Sequence, residues 1–386
     1  MSVVIADWVR TPLATSKGQL SKFHSVELGT AALRFLLERA SASGSMAELL
    51  TTRSGALVVG CANPIGEQSM NVASALAAAA DLSQRVTTAT VDCACSSGLR
   101  ALFSATAMLK AGDVDFAIVV GLSSASRVAV GSVAGLSVGR PFGPELLKQY
   151  GGDGGLKTSG ELLQELADRF GISRVECDDW AKESRRKAPN NAGRLTRIAP
   201  VASARGGSVN ADCVAMSAAI EDLPPLFVDD GVLTAATFPV TCDGATAMLL
   251  TRSDVVDATG CPAIVGQSSR SSFNVSTTGV DAFSDALDAA SLSVDRLGGL
   301  CVHEDSAVTP LAFMADVNRR DTELKCVVNQ CGGVLGTGDL FGVGALLSLQ
   351  FALDDCIEVG GYSALVSAGA GGHQDALIFS ADNNGE

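Results

Sequence analysis

Val91-Asp92-Cys93-Ala94-Cys95-Ser96-Ser97-Gly98-Leu99-Arg100 is a turn of small residues between two regular elements. Residues Val86 to Val91 alternate and are rich in β-branched side chains, which predicts a strand. Residues Leu99 to Lys110 place apolar side chains at helical spacing, which predicts a helix. Cys95 therefore lies between the end of a strand and the positive N-terminus of a helix. Because this setting favours the thiolate, we expect Cys95 to be a nucleophile.

The remaining cysteines need a different interpretation, since the chain contains 11 in all. Cysteine is among the residue types that are most often buried, so a small core residue is the alternative role, and we assign it to Cys93. The count is odd and the spacing shows no paired metal motif, and Cys93 and Cys95 are too close for a usual zinc knuckle. We therefore expect reduced thiols, a cytoplasmic protein, no metal and no cofactor.

Composition narrows the class of protein. The chain has 386 residues, of which 47% are hydrophobic and 18% are charged, so it is a globular protein with a large core. The net charge of −14 argues against a broad nucleic-acid-binding face. No apolar stretch is long enough to span a membrane, and the N-terminus lacks a signal-peptide pattern. We expect neither a nucleic-acid partner nor a membrane segment.

Strands and helices alternate along the chain, which predicts an α/β protein with a parallel sheet and helices on its faces. The predicted strands are residues 2–7, 54–60, 86–91, 116–121, 247–251 and 263–266, and the predicted helices are residues 26–42, 71–80, 99–110, 158–170 and 177–188. The pattern becomes Gly-rich and proline-marked after about residue 123. We expect one half from residues 1–122 with 224–256, an insertion domain over the sheet from 123–223, and a second half from 257–386.

The two halves share a sequence pattern. In the first, V-D-C-A-C-S-S-G is followed by a helix and an apolar strand that ends at Gly121. In the second, V-N-Q-C-G-G-V-L-G begins at Val328 as a strand and turn and is followed by a helix and an apolar strand that ends at Gly369. This predicts an internal duplication, although two ordinary α/β units can look alike by chance. Two such halves would bring Cys95 and the loop of residues 331–339 together across a pseudo-twofold axis.

Several segments carry motifs of one family. Ala6-Asp7-Trp8-Val9-Arg10-Thr11-Pro12 is similar to an A-x-R-T-P opening, VDCACSSGLRAL (91–102) to a nucleophile segment, GISR (171–174) with AKES (181–184) to an insertion, and GVLTA (231–235) with CDGA (242–245) to a T-A…N-D-G-A segment. Together they resemble the thiolase superfamily over nearly the whole chain. The nucleophile segment also resembles that of the ketoacyl synthases.

The resemblance implies a fold and a reaction. The fold is five layers, αβαβα, from two duplicated halves, which agrees with the internal repeat. Cys95 would be the acylated nucleophile, and the working unit would be a homodimer, possibly within a larger complex. The substrates implied are thioesters of coenzyme A or of an acyl-carrier protein.

Three positions depart from the thiolase pattern. His303 stands where the N-E-A-F motif has Asn, as in sterol-carrier-type thiolases and ketoacyl synthases. Asp339 replaces the His of G-H-P that activates the cysteine, and Ser367 replaces the second cysteine of C-x-G-x-G. A serine hydroxyl is a far weaker acid than a thiol, so Ser367 is poorly suited to remove an α-proton.

These residues suggest a candidate catalytic set. Cys95 would be the nucleophile, His303 the base that takes the thiol proton, and Asp339 the acid that orients the imidazole. A solvated loop acid is the alternative role for Asp339. We expect backbone N–H groups beside Cys95 and at Gly369–Gly371 to bind the oxyanion.

Further residues could contact the substrate. Ser367 lies at the family position of the second cysteine, Gly369 and Gly371 lie in the loop after it, and His373 follows that loop and could line the site. Arg185, Arg186 and Arg194 belong to a local basic cluster on an acidic chain. This cluster could bind the phosphates of coenzyme A or a carrier-protein arm, or it could be a solvated helix face.

The sequence therefore predicts an acyltransferase with an acyl-Cys95 intermediate, most simply in a biosynthetic Claisen-type condensation. One alternative keeps the intermediate and transfers the acyl group to an oxygen or nitrogen acceptor, for which a Cys–His–Asp set suffices. The other alternative is a non-catalytic partner subunit that keeps the fold and has lost the chemistry.

Overall fold

Two similar α/β units share one large sheet in the computed structural model, which describes residues 2–135, 142–151, 155–188, 196–202, 207–216, 219–273, 275–369 and 372–381. The strands are β1 Val3–Arg10, β2 Ala14–Thr15, β3 Gly55–Gly60, β4 Val86–Val91, β5 Phe116–Ser124, β6 Val201–Ala202, β7 Ser208–Val209, β8 Cys242–Arg252, β9 Ala263–Ser271, β10 Leu297–Val302, β11 Tyr362–Ala368 and β12 His373–Ser380. The helices are α1 Ser25–Ser41, α2 Gly44–Thr52, α3 Val72–Ala79, α4 Ser97–Ala111, α5 Pro144–Tyr150, α6 Ser159–Phe170, α7 Arg174–Lys187, α8 Val280–Ala290, α9 Val308–Arg319, α10 Val334–Thr337 and α11 Gly344–Val359.

The internal duplication is visible in the strand order. The first unit runs β1-β8-β5-β3-β4, in which the first two pairings are antiparallel and the last two are parallel. The second unit runs β9-β12-β11-β10 with the same sequence of antiparallel and parallel pairings. Short pairings between β1 and β9 join the two units into one sheet. The structure thus confirms the duplicated α/β fold, but the predicted parallel sheet is wrong, because antiparallel pairings make the sheet mixed.

One element of the predicted repeat is reduced. The sequence predicts a strand at Val328 as the counterpart of β4, and the structure has only an isolated parallel bridge between Val328 and Leu300. Asn329 follows with a φ of 51°, so the chain turns away at once. The segment at Val328 is therefore shorter than the predicted strand. It still lies beside β10, which is the position that the repeat requires.

Three clusters of buried apolar side chains show the layers. The outer face of the first unit packs on α1 and α3, and the outer face of the second unit packs on α8 and α9. A third cluster lies between the units and is built from α4 and α11 with residues of both sheet regions. The order is therefore α, β, α, β, α, as the resemblance implied, and α4 and α11 form the central layer.

Helices α6 and α7, which lie between β5 and β8 in the sequence, pack on the second unit. Apolar side chains of α6 and α7 pack with those of α9 and α10 in one cluster, which includes Leu163, Leu166, Ala181, Ala312 and Leu335. The capping boxes of Thr158 with Glu161 and of Ser173 with Glu176 fix where α6 and α7 begin. This placement brings α7 beside the end of β10, where His303 lies.

Candidate active site

Cys95 lies in the predicted setting, between β4 and α4. Ala94 has a φ of 50°, which makes the tight turn that aims the next residue out of the strand. The Ser97 hydroxyl accepts a hydrogen bond from Cys93 N–H at 2.8 Å and donates one to Ala94 O at 2.7 Å, so the turn is held rigidly. Cys95 keeps some exposed surface, as a nucleophile must.

The start of α4, after the Cys95 turn, and the loop before α11 contact each other at Gly98 and Gly342. Gly98 N–H donates to Gly342 O at 3.0 Å, and a Cβ at Gly98 would lie 3.0 Å from Val343 Cα. This close approach of α4 and the loop before α11 requires glycine. It confirms that the Cys95 turn and the Asp339 loop lie together.

His303 directly follows β10 and is buried. The backbone N–H of His303 donates to Val366 O at 2.8 Å, and a hydrogen bond of 3.0 Å joins its ring atom Nδ1 to Ser348 Oγ on α11. Burial lowers the pKa of His303 to about 4, so the imidazole is neutral at pH 7.

Asp339 is fixed through its backbone. Asp339 N–H donates to Val240 O and Asp339 O accepts from Cys242 N–H, each at 2.8 Å. Its Oδ1 atom is shielded from water and has no hydrogen-bond partner within the described ranges. Burial and, to a smaller extent, the charge of Asp305 raise the pKa of Asp339 to about 7, while the hydrogen bond from Leu340 N–H opposes this rise.

Asp339 and His303 are neighbours across Gly344. A Cβ at Gly344 would overlap Asp339 Oδ1 and lie 2.9 Å from His303 Cε1. The two side chains therefore lie on the same side of Gly344, while the ring nitrogen Nδ1 of His303 is bonded to Ser348. The expectation that Asp339 orients His303 by a hydrogen bond is not met, because Ser348 holds the imidazole.

Asp305 completes the surroundings of Cys95. A Cβ at Gly369 would lie 3.0 Å from Asp305 Oδ2 and 3.7 Å from Cys95 Cβ, so these two atoms are no more than about 7 Å apart. Burial raises the pKa of the Cys95 thiol, and the charges of Asp305 and Asp339 raise it further. The expected preference for the thiolate is therefore wrong, because burial and two carboxylates outweigh the helix N-terminus.

Glu304 anchors the segment that carries His303. The buried carboxylate accepts from Trp180 Nε1 at 2.8 Å, Ser184 Oγ at 2.9 Å, Leu335 N–H at 2.8 Å and Asn329 Nδ2 at 3.2 Å. Burial raises the pKa of Glu304, and these donors oppose that rise. One side chain thus ties α7, α10 and the end of β10 together.

The other predicted substrate residues are only partly near Cys95. Ser367 is buried near the end of β11, and Gly369 faces Cys95 and Asp305. Gly369 N–H donates to His373 O at 3.3 Å, and His373 begins β12 beside Asp375. Gly371 lies outside the described residues.

The basic cluster does not form one phosphate-binding face among the described residues. Arg185 points inward and donates from Nη2 to Ala236 O at 3.1 Å, and burial lowers the pKa of its guanidinium. Arg186 is paired with Glu183 at 2.6 Å on the exposed side of α7. Arg194 lies outside the described residues.

Sequence reasoning missed Ser348, Asp305, Glu304 and Trp180. Ser348 is a polar residue within the apolar run of α11, and Glu304 and Asp305 follow a buried strand directly after His303. Carboxylates placed after a buried strand end were a signal that could have been used. Trp180 lies more than 100 residues away in sequence, so only the packing of α7 reveals it.

The described residues contain neither a membrane-spanning helix nor a cluster of metal ligands. No helix among them is long and apolar enough to cross a bilayer. No group of three or more His, Cys, Asp or Glu residues among them could hold a metal ion.

Comparison with known proteins agrees with this architecture. A probable acetyl-CoA acetyltransferase of Mycolicibacterium smegmatis is 25% identical over 401 residues, covering 97% of this chain and 100% of that protein. A beta-ketoadipyl-CoA thiolase of Acinetobacter baylyi is 28% identical over 413 residues, covering 97% and 98%. The solved structure of an acetyl-CoA acetyltransferase from Syntrophomonas wolfei superposes with a TM-score of 0.82 at 20% identity, covering 99% of both chains, which shows the same fold.

The sequence also matches a family model directly. The model described as "Thiolase, N-terminal domain" covers residues 3–254, which is more than half of the chain. The full-length relatives extend the match through the second unit. This protein therefore belongs to the thiolase family of acyltransferases.

Proposed function

We propose that this protein forms an acyl-Cys95 thioester from an acyl-CoA or an acyl-carrier protein and passes the acyl group on in a Claisen-type carbon–carbon condensation. The observation that supports the proposal is that Asp339 is near both Cys95, whose pKa its charge raises, and His303, which it meets at Gly344. The names of the relatives support coenzyme A thioesters as substrates. The free cysteines support a cytoplasmic site of action.

Asp339 is the better acceptor for the thiol proton. The pKa of His303 is lowered to about 4 and that of Asp339 is raised to about 7, so the carboxylate is the stronger base of the two. The Cys95 sulfur attacks the thioester carbonyl while its proton passes to Asp339. The tetrahedral intermediate then expels the donor thiolate, which takes the proton back, leaving acyl-Cys95 and a free thiol.

The neutral His303 suits a different task. Its Nδ1 is bonded to Ser348, so the ring is fixed and its Nε2 edge can serve the substrate. Where Nε2 carries the proton, it donates to a thioester oxygen as negative charge develops there. We assign His303 to oxyanion stabilisation and Asp339 to proton transfer.

The direction of the reaction follows from concentrations, because an enzyme accelerates both directions equally. We propose that the protein works in biosynthetic condensation. The relatives named as thiolases include a beta-ketoadipyl-CoA thiolase, so both condensation and cleavage should be assayed.

A non-catalytic partner subunit is the competing function. The raised pKa of Cys95 and the replacement of the second family cysteine by Ser367 favour it. Transfer to an oxygen or nitrogen acceptor through a Cys–His–Asp triad has weaker support, because Ser348 takes the hydrogen bond that the triad requires.

Mass spectrometry after mixing with a panel of acyl-CoA and acyl-carrier-protein thioesters separates these functions. We expect one acyl group on the wild type, the same on Cys93→Ala, and none on Cys95→Ala. Labelling that survives Cys95→Ala would overturn the nucleophile assignment. An unlabelled wild type with every donor would favour the partner-subunit function.

A further inference from the structure

A condensing thiolase-type enzyme needs a second base, and this chain lacks the usual one. The proposed condensation removes a proton from the α-carbon of the acceptor thioester. At the position of the second family cysteine the chain has Ser367, whose hydroxyl is too weak an acid to provide a useful base. Either the reaction has lost this step or another side chain performs it.

Asp305 lies where such a base must lie. Asp305 and Cys95 both border Gly369. A Cβ placed at Gly369 would lie 3.0 Å from Asp305 Oδ2 and 3.7 Å from Cys95 Cβ. Asp305 is only partly buried, so a proton on its carboxyl can exchange with water. In the N-E-A-F pattern this position is alanine, so the carboxylate is a feature of this chain and not of the family motif.

Asp305 also acts electrostatically on both other groups. Its charge raises the pKa of Cys95 and of Asp339, which places it close to each of them. Cys95, Asp305 and Asp339 therefore lie close enough to influence one another.

We propose that Asp305 is the base that removes the α-proton of the acceptor thioester, in place of the missing second cysteine. This inference rests on the proposed acyl-Cys95 chemistry. The Asp305 carboxylate takes the α-proton, and the C–H electron pair forms the enolate. The enolate carbon attacks the carbonyl of acyl-Cys95, a C–C bond forms, and the C–S bond breaks. The Cys95 thiolate leaves and takes up the proton from Asp305, so the product is a 3-ketoacyl thioester and the free thiol.

Deuterium exchange tests this step apart from acylation. The protein is incubated with acetyl-CoA in D2O, and deuterium at the acetyl methyl group is followed by mass spectrometry while acylation of Cys95 is measured in parallel. We expect Asp305→Ala and Asp305→Asn to lower exchange at least about 100-fold, as for loss of a general base, while Cys95 still becomes acylated, because Asp339 accepts the thiol proton in that step. Asp305→Ala carries the residue of the N-E-A-F pattern, so the fold should tolerate it.

Two further variants make the test specific. Ser367→Cys in the Asp305→Ala background supplies the thiol of the family pattern and should restore part of the exchange. Asp113→Asn makes the same chemical change in an exposed turn at the far end of α4, about 22 Å along that 15-residue helix, and should change neither reading.

The outcomes separate cleanly. Exchange that falls while acylation persists supports Asp305 as the second base. Exchange that stays within a few-fold of wild type in both Asp305 variants overturns it and leaves acyl-Cys95 formation standing. A wild type that neither acylates nor exchanges overturns the proposed condensation and this role together.

Discussion

At the scale of single residues, the charge of two carboxylates acts on Cys95, the proposed nucleophile. Burial and the charges of Asp305 and Asp339 all raise the pKa of Cys95, so in the proposed mechanism the thiol proton is removed as the substrate reacts. A carboxyl with a pKa near 7 is suited to this, since a base works best when its pKa lies near the working pH. The same negative charge should make acyl groups that carry a carboxylate poor donors.

The pH dependence of Cys95 acylation follows from Asp339. Its carboxylate accepts the thiol proton only when ionised, so the single-turnover acylation rate should rise with pH through about 7 and then level off. Asp339→Asn should remove this rise and slow acylation by about 100-fold or more, with the fold kept. A rate within a few-fold of wild type at every pH would make Asp339 a bystander.

How much of the site could be predicted depends on how each contact is encoded. The position of Cys95 between β4 and α4 is set by the residues next to it, so it could be predicted from the local sequence. Asp339 and His303 were found through the family pattern, yet the pairing between them was predicted wrongly, because Ser348 reaches His303 from one turn inside α11. The raised pKa of Cys95 could not be read from local sequence either, since burial and Asp305 come from other elements.

At the scale of elements, Glu304 joins α7 of the inserted region to α10 and β10 of the second unit. Its carboxylate receives hydrogen bonds from Trp180, Ser184, Asn329 and Leu335 N–H in a buried setting. Such a contact sets the position of the neighbouring His303, so stability and activity depend on the same side chain.

Glu304→Gln should therefore be strongly destabilising. The amide NH2 would face donors in place of an oxygen, leaving buried donors unsatisfied at a cost of about 2–4 kcal/mol in the free energy of unfolding. Trp180→Phe removes one donor and leaves the carboxylate with the others, so it should cost about half as much or less. Urea denaturation of the two variants checks this order, and equal stability of Glu304→Gln and wild type would contradict it.

Regular elements were more predictable than the way they pack. The strand β4 and the helices α1, α4 and α6 follow the sequence pattern within a few residues, because apolar spacing and capping residues define them locally. The counterpart of β4 at Val328 shrank to one bridge, since Asn329 leaves the strand direction immediately. The attachment of α6 and α7 to the second unit depends on contacts between distant segments, which no local pattern contains.

At the scale of the whole molecule, β4 is one of the two edges of the described sheet, and the other edge, β10, carries the bridge to Val328. Among the described strands β4 pairs only with β3, and its sequence V-T-T-A-T-V carries no charge and no proline. Proteins usually protect such an edge or cover it with another chain. Met70 lies beside it with 95% of its surface exposed, in a loop tied to the strand by the 3.4 Å hydrogen bond from Asn71 Nδ2 to Thr88 Oγ1. An uncharged edge next to an exposed apolar side chain is what a second copy of the chain would cover.

We therefore expect a homodimer in which the β4 strands of the two copies pair. In each copy the Cys95 turn directly follows β4, so it would lie next to this interface. Light scattering at micromolar concentration should give twice the mass of the chain. Ala89 is exposed on β4, and Ala89→Lys adds a charge to the edge, so this variant should be largely monomeric with an unchanged circular dichroism spectrum. Lys110→Ala, on α4 away from the edge, is the control and should stay dimeric. An Ala89→Lys variant that stays dimeric would place the interface elsewhere. A monomeric wild type would contradict the dimer itself, and the Cys95 turn would then be held by α4 and α11 of one chain alone.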